Sequence, residues 1–206
     1  MNKLFSMAIR TTPVKQPIIV VSGLPRSGTS MMMKMLAESG LPIVIDELRQ
    51  ADSDNPKGYF EFETVRQMSA GNVEWLANAG GKAVKVISAL LEYLPSNYSY
   101  KIIFLEREIK EVLASQRKML TNRNEEATVD DSELEMTIRK HLAAVRSWLV
   151  RQPNMEVLYV NYNSLMTKPE PLCAQVIEFL SMPLNQTRML AVPDRQLYRN
   201  RTVSET

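Results

Sequence analysis

The sequence predicts an α/β protein of three layers, α/β/α, with a central parallel sheet. Short runs rich in β-branched residues alternate with stretches of helical period, which is the order in which a parallel sheet and its crossover helices are laid down. The runs themselves are apolar almost without interruption, as strands buried on both faces are, instead of alternating apolar with polar.

In chain order, "PIIVVSG" (17–23) is the first predicted strand, and "TSMMMKMLAESG" (29–40) is a helix closed by Gly40. "KAVKVI" (82–87) and "YKIIFLE" (100–106) are the next strands, and "KEVLASQRKML" (110–120) is the helix after them. The clearest helix is "SELEMTIRKHLAAVRSWL" (132–149), where Ser132 and Glu135 have capping-box spacing. Leu134, Ile138, Leu142, Val145 and Leu149 keep one of its faces apolar, and Pro153 lies just beyond its end. "EVLYVNY" (156–162) is the last strand, and "KPEPLCAQVIEFLSM" (168–182) is a helix opened by Pro171 with Leu172, Val176, Ile177 and Leu180 toward the core. The polar stretch "TNRNEEATVDD" (121–131) and the ends, 1–16 and 193–206, read as the least ordered segments.

A chain of 206 residues with 45% hydrophobic and 23% charged residues has the make-up of one globular domain, 1–206. A net charge of +2 with no run of like charges points to no nucleic-acid partner. No apolar run reaches the roughly 18 residues of a membrane span, so no membrane insertion is expected. One cysteine, Cys173, precludes an intrachain disulfide framework, and with a single histidine it argues against a structural zinc site. A cytoplasmic setting is the expectation. The sequence is silent on oligomeric state.

"VVSGLPRSGTSMMM" (20–33) carries the chemistry. It joins a strand to a helix, where backbone N–H groups and the positive helix end converge on an anion. Gly23 and Gly28 suit a tight turn, and Arg26, Ser27, Thr29 and Ser30 add donors for anionic oxygens. The glycines alone are equally compatible with a turn that binds nothing. A nucleoside-triphosphatase loop would carry lysine after Gly28, and this one carries Thr29.

"PRSGTS" resembles the 5′-phosphosulfate loop of sulfotransferases that use 3′-phosphoadenosine 5′-phosphosulfate (PAPS), small bacterial members included. "IIFLEREIKEVLASQRKM" is similar to the family's second signature, with Arg107 and Ser115 eight apart, the spacing used there to grip the 3′-phosphate. "EVLYVNYNSLMTKPEPLCAQVIEFLSM" resembles the family's late strand, loop and helix, so the likeness touches most of residues 17–184. It implies a P-loop-like sulfotransferase fold and PAPS as sulfuryl donor, with no metal. It also implies transfer to a hydroxyl or amine on a small-molecule or glycan acceptor.

The missing lysine then has a physical reason. A triphosphatase needs lysine and magnesium against the charge on β and γ phosphates. The sulfate donor lacks both phosphates, and N–H donors with one cation at the bridging oxygen suffice.

By the resemblance, Arg26 stabilises the leaving group, Ser27, Gly28, Thr29 and Ser30 line the 5′-phosphate site, and Arg107 and Ser115 take the 3′-phosphate. Lys85 corresponds to a lysine near the transferred sulfate. Read without the family, Arg107 is equally a solvated strand-end charge, Ser115 a helix-surface serine and Lys85 a lysine snorkelling from a strand.

The chain departs from the family in three places. Ile87 stands where cytosolic members have their basic histidine, and the one histidine, His141, falls in mid-helix in a structural or exposed role. By resemblance to branches of the family that use a glutamate, a carboxylate base is expected instead: Glu47, which falls where the tyrosylprotein enzymes carry theirs, Glu61 in "NPKGYFEFE", a stretch similar to one in bacterial members, or the neighbouring Asp46. Met31 replaces the adenine-stacking tryptophan, and the usual Arg-Lys-Gly loop is absent, with Arg195, Arg199 and Arg201 as its substitutes or as a basic tail. The alternatives to a sulfotransferase are a P-loop nucleotide or small-molecule kinase, against which the missing lysine speaks, and a non-catalytic nucleotide-binding module.

Overall fold

The computed structural model describes residues 16–46, 48, 58–122, 125 and 130–194. Five strands form one sheet: β1 (Ile18–Gly23), β2 (Ile43–Val44), β3 (Ala83–Lys85), β4 (Tyr100–Glu106) and β5 (Met155–Asn161). Their order is β2-β3-β1-β4-β5, and every pairing is parallel. The helices are α1 (Thr29–Glu38), α2 (Ile109–Asn122), α3 (Asp131–Leu149), α4 (Tyr162–Thr167), α5 (Pro169–Leu180) and α6 (Gln186–Leu190). Three 3₁₀ segments, Glu63–Ala70, Glu74–Asn78 and Ser88–Tyr93, complete the described elements.

Each strand's side chains split between two cores, which is why the runs are continuously apolar. Ile19, Val21, Ile103 and Leu105 pack with Met32 and Leu36 of α1 and Cys173, Val176 and Leu180 of α5 on one face. Ile18, Val20, Ile102 and Phe104 pack with Leu149 of α3 and Leu76 and Leu91 of the 3₁₀ segments on the other. The chain runs outward from β1 in both directions, to β3 on one side and β4 on the other. The carboxyl end of β1 is therefore the switch point, where open α/β sheets form a ligand crevice.

Four sequence expectations are corrected. β2 was missed, because two half-buried residues carry no periodic signal. The capping residue of α3 is Asp130, whose side chain accepts from the Ser132 amide, while the Glu135 carboxylate pairs forward with Arg139. The capping box of Ser132 and Glu135 does not form. Helix α5 opens at Pro169 rather than Pro171, since a first-turn residue needs no amide hydrogen. The last strand stops at Asn161, whose side chain accepts from the Ser164 amide and caps α4, so that Tyr162 is helical.

Among the described residues no helix is long and apolar enough to cross a membrane.

Candidate active site

The loop after β1 is shaped by steric limits. Gly23 has φ 144°, and a Cβ there would meet the Leu105 carbonyl oxygen and Ser27 Oγ at 2.6 Å. Gly28 has φ 103°, and a Cβ there would enter the Tyr162 ring at 2.3 Å. Between them Arg26 adopts φ 71°, a left-handed conformation costing a side-chain-bearing residue roughly 1–3 kcal/mol unless its surroundings enforce it. They do. Ser27 donates from Oγ and from its amide to the Leu24 carbonyl, at 2.7 and 3.2 Å. Arg107 Nη1 donates to the Arg26 carbonyl at 3.0 Å. The hydroxyl of Ser27, fully buried, thus closes the turn from inside. Gly28 precedes α1 and gives the first-turn amides of Thr29 and Ser30 no side-chain cap.

The two motifs meet here. Arg26 Nε donates to Ser115 Oγ at 2.9 Å, and Ser115 is buried on α2. Arg107, just past β4, has a side chain only 7% exposed. Its Nε donates to Glu111 Oε2 at 3.0 Å, and its guanidinium carbon lies 4.4 Å from the centre of the Tyr162 ring. Glu111 Oε1 accepts from Asn163 Nδ2 at 2.9 Å.

A second cluster sits at the end of β3. Lys85 Nζ donates to the Tyr59 carbonyl at 2.6 Å, to Glu61 Oε1 at 3.1 Å and to Ser30 Oγ at 3.5 Å. Ser30 Oγ in turn donates to the Tyr59 carbonyl at 3.1 Å. The side chain of Lys85 is 7% exposed, so it is held inward by an ion pair and a carbonyl instead of snorkelling to solvent. The other oxygen of Glu61 pairs with Arg66 at 3.2 Å.

Asp46 is used structurally. Its Oδ2 accepts from the Glu63 amide at 2.6 Å, and its own amide donates to the Glu61 carbonyl at 3.0 Å. It thereby steadies the segment that carries Glu61. Glu47, Arg195, Arg199 and Arg201 lie outside the described residues. Met31 packs partly buried against the core that includes α1. His141 Nε2 is 2.9 Å from Ser88 Oγ, joining α3 to the segment after β3.

Burial, with a smaller contribution from Glu170, pushes the Cys173 thiol up to about 11, so it is no thiolate nucleophile at neutral pH. Among the described residues no group of three or more His, Cys, Asp and Glu could hold a metal ion.

Sequence reasoning missed Tyr59, Glu111, Tyr162 and Asn163. Glu111 carried a legible signal, standing four residues after Arg107 on a helix. Tyr59 contributes through its carbonyl, which no residue type announces. The sequence reading places Tyr162 at the end of a strand and Asn163 just beyond it, whereas both stand on α4.

A parallel sheet with a glycine loop after its central strand and a buried arginine after the next defines a P-loop-like α/β/α fold. The family model of the sulfotransferase domain matches residues 16–200, and the chain belongs to that family. The fold is shared with mouse sulfotransferase SULT7A1 complexed with PAP, at 17% identity and a TM-score of 0.55, over 93% of this chain and 68% of that one. Sulfotransferase STF9 from Mycobacterium avium is 17% identical with a TM-score of 0.54, over 86% and 67%. The sulfotransferase domain from the curacin biosynthetic pathway is 17% identical with a TM-score of 0.50, over 85% and 77%. No curated protein matches the chain.

Proposed function

We propose that the chain transfers a sulfuryl group from PAPS to a hydroxyl or amine on a small-molecule or glycan acceptor. The observation that carries this reading is the interlock of the two motifs: Arg107 Nη1 on the Arg26 carbonyl and Arg26 Nε on Ser115 Oγ. Two cations, a buried hydroxyl and uncapped helix amides gather beyond the carboxyl end of β1, a donor set suited to a nucleotide anionic at both its 3′ and 5′ positions. Membership of the sulfotransferase family and the likeness to a fold solved with PAP support the same donor.

The donor supplies a sulfuryl group whose bond to the bridging oxygen breaks as the acceptor bonds to sulfur. The chain's part is binding, charge stabilisation and proton removal. The loop amides with Thr29 and Ser30 hold the 5′ end, and Arg107 with Ser115 holds the 3′-phosphate. Arg26 offsets the negative charge that grows on the leaving phosphate oxygen. Lys85 stands beside Ser30 at the loop, where a cation serves the sulfuryl oxygens, and it fixes Glu61 in place. We assign the acceptor's proton to Glu61, with Glu47 the competing carboxylate. An incoming acceptor reaches Glu61 by displacing Arg66, which is 60% exposed and held by a pair of small net energy.

Metal-free titration calorimetry of adenosine 3′,5′-bisphosphate beside 5′-AMP and ATP tests the donor. Tight binding that requires the 3′-phosphate is expected; equal affinity for 5′-AMP, or binding of ATP only with magnesium, returns the chain to the kinase class. Donor binding without transfer to any acceptor in a broad panel would leave a binding module.

A further inference from the structure

Arg107 is fixed on three sides, and one of the groups that fixes it belongs to no ligand set. Its guanidinium is held in its plane by Glu111 Oε2 at Nε and by the Arg26 carbonyl at Nη1, and across its plane by the Tyr162 ring. The Glu111 side chain is 1% exposed, and an ionised carboxylate has no donor to offer a phosphate oxygen. A carboxylate at that depth is tolerated only when paired and hydrogen-bonded, and both its oxygens are engaged, one by Arg107 and one by Asn163. Asn163 lies next to Tyr162 on α4, so the tether runs from α2 to the helix that follows the edge strand β5. Tyr162 also fills the space that a side chain at Gly28 would need. Tyr162, one of the groups that orient Arg107, is thus packed against the loop after β1.

We propose that Glu111 is the positioning residue of the donor site, orienting Arg107 so that the 3′-phosphate meets a preset fork, with Asn163 steadying Glu111. This rests on the donor reading above. A long cationic side chain loses rotamer entropy when it grips a ligand, and an arginine already immobilised loses less. The gain falls on the 3′-phosphate alone, so Glu111 governs preference for the bisphosphate over 5′-AMP and leaves the 5′ end untouched. A counterweight role makes the opposite demand: neutralising Glu111 would leave Arg107 more positive and tighten anions in general.

Two substitutions separate geometry from charge. Glu111→Gln keeps an acceptor for Arg107 Nε and, with the Asn163 amide turned over, a partner on its other side; Glu111→Ala removes both. Calorimetry of the folded full chain should show Glu111→Ala weakening adenosine 3′,5′-bisphosphate about tenfold, the value of one charge-assisted hydrogen bond. The affinity for 5′-AMP should stay within about twofold, and Glu111→Gln should recover most of the loss. At saturating PAPS kcat should be retained while the donor KM rises. If Glu111→Ala does not fold, Asn163→Ala carries the test, with a smaller loss of the same preference. Unchanged preference in the folded variants, or equal tightening of both ligands by Glu111→Gln, overturns the proposal while the donor site stands. A wild-type chain with no preference for the 3′-phosphate overturns the donor reading, and this proposal with it.

Discussion

Arg26 Nε donates to Ser115 Oγ at 2.9 Å across 89 residues of sequence. The cation assigned to the leaving group is therefore latched to the hydroxyl assigned to the 3′-phosphate. One hydrogen bond joins the two ends of the proposed donor site. Ser115→Ala removes the latch and leaves the Arg26 guanidinium without that acceptor in a half-buried setting. The expected result is a loss of about 1–3 kcal/mol of stability, read by denaturant titration, together with weaker bisphosphate binding.

Arg107→Lys should abolish most of the preference for a 3′-phosphate. A lysine ammonium is a point charge and cannot serve Glu111, the Arg26 carbonyl and the Tyr162 face at once. A drop of about tenfold or more in the ratio of affinities for adenosine 3′,5′-bisphosphate and 5′-AMP is expected. A ratio equal to wild type would mean that Arg107 is structural.

Gly28→Ala tests the packing beneath the loop. The new methyl group would stand 2.3 Å from a Tyr162 ring carbon at a backbone φ of 103°. Strain and overpacking together should cost about 2–4 kcal/mol, measured as a lower thermal midpoint. Gly28→Ala with Tyr162→Ala should recover the steric part and not the backbone part.

Glu61→Gln should lower kcat by about 10²–10⁴ if Glu61 takes the acceptor proton, with donor affinity unchanged. Lys85→Met removes a buried partner of Glu61 and of the Tyr59 carbonyl, and should lower kcat and stability together. A Glu61→Gln variant with wild-type kcat would move the base role to Glu47, testable by Glu47→Gln.

Cys173 predicts one component of alkaline unfolding. Its thiol is raised from an ordinary 9.0 to about 11, chiefly by burial. The folded state therefore keeps its proton where the unfolded chain loses it. The contribution is fully present below pH 9 and is lost as pH rises through about 9 to 11, to an extent of about 2–3 kcal/mol. Denaturant midpoints across that window should fall more steeply for wild type than for Cys173→Val. Parallel slopes would show that the thiol does not contribute.

The loop between Gly23 and Ser30 was legible because its chemistry is local. Glycines, hydroxyls and a cation stand together in the chain, and a strand before and a helix after give them direction. Arg107, just before α2, and Ser115, within it, were legible only as a pair at the spacing of the family's second signature. The two-residue β2 was not, since Ile43 and Val44 make too short a run for periodicity. Glu111 could have been suspected from its place four residues after Arg107, yet only its depth and its second partner, Asn163 on another element, distinguish it from a surface ion pair.

The sequence by itself determined the order of β1, β3, β4 and β5 and of α1, α2, α3 and α5, the place of the glycine loop after β1 and the residue types in it, because periodicity and turn chemistry act between near neighbours. Tertiary structure decided the rest. It turned Lys85 inward onto Tyr59 and Glu61, assigned Asp46 to the backbone, seated Tyr162 against Gly28 and locked Arg26 to Ser115. Those outcomes depend on which groups are brought together when β3 and β4 pair on either side of β1, and on which charges lose water there. No local pattern encodes either.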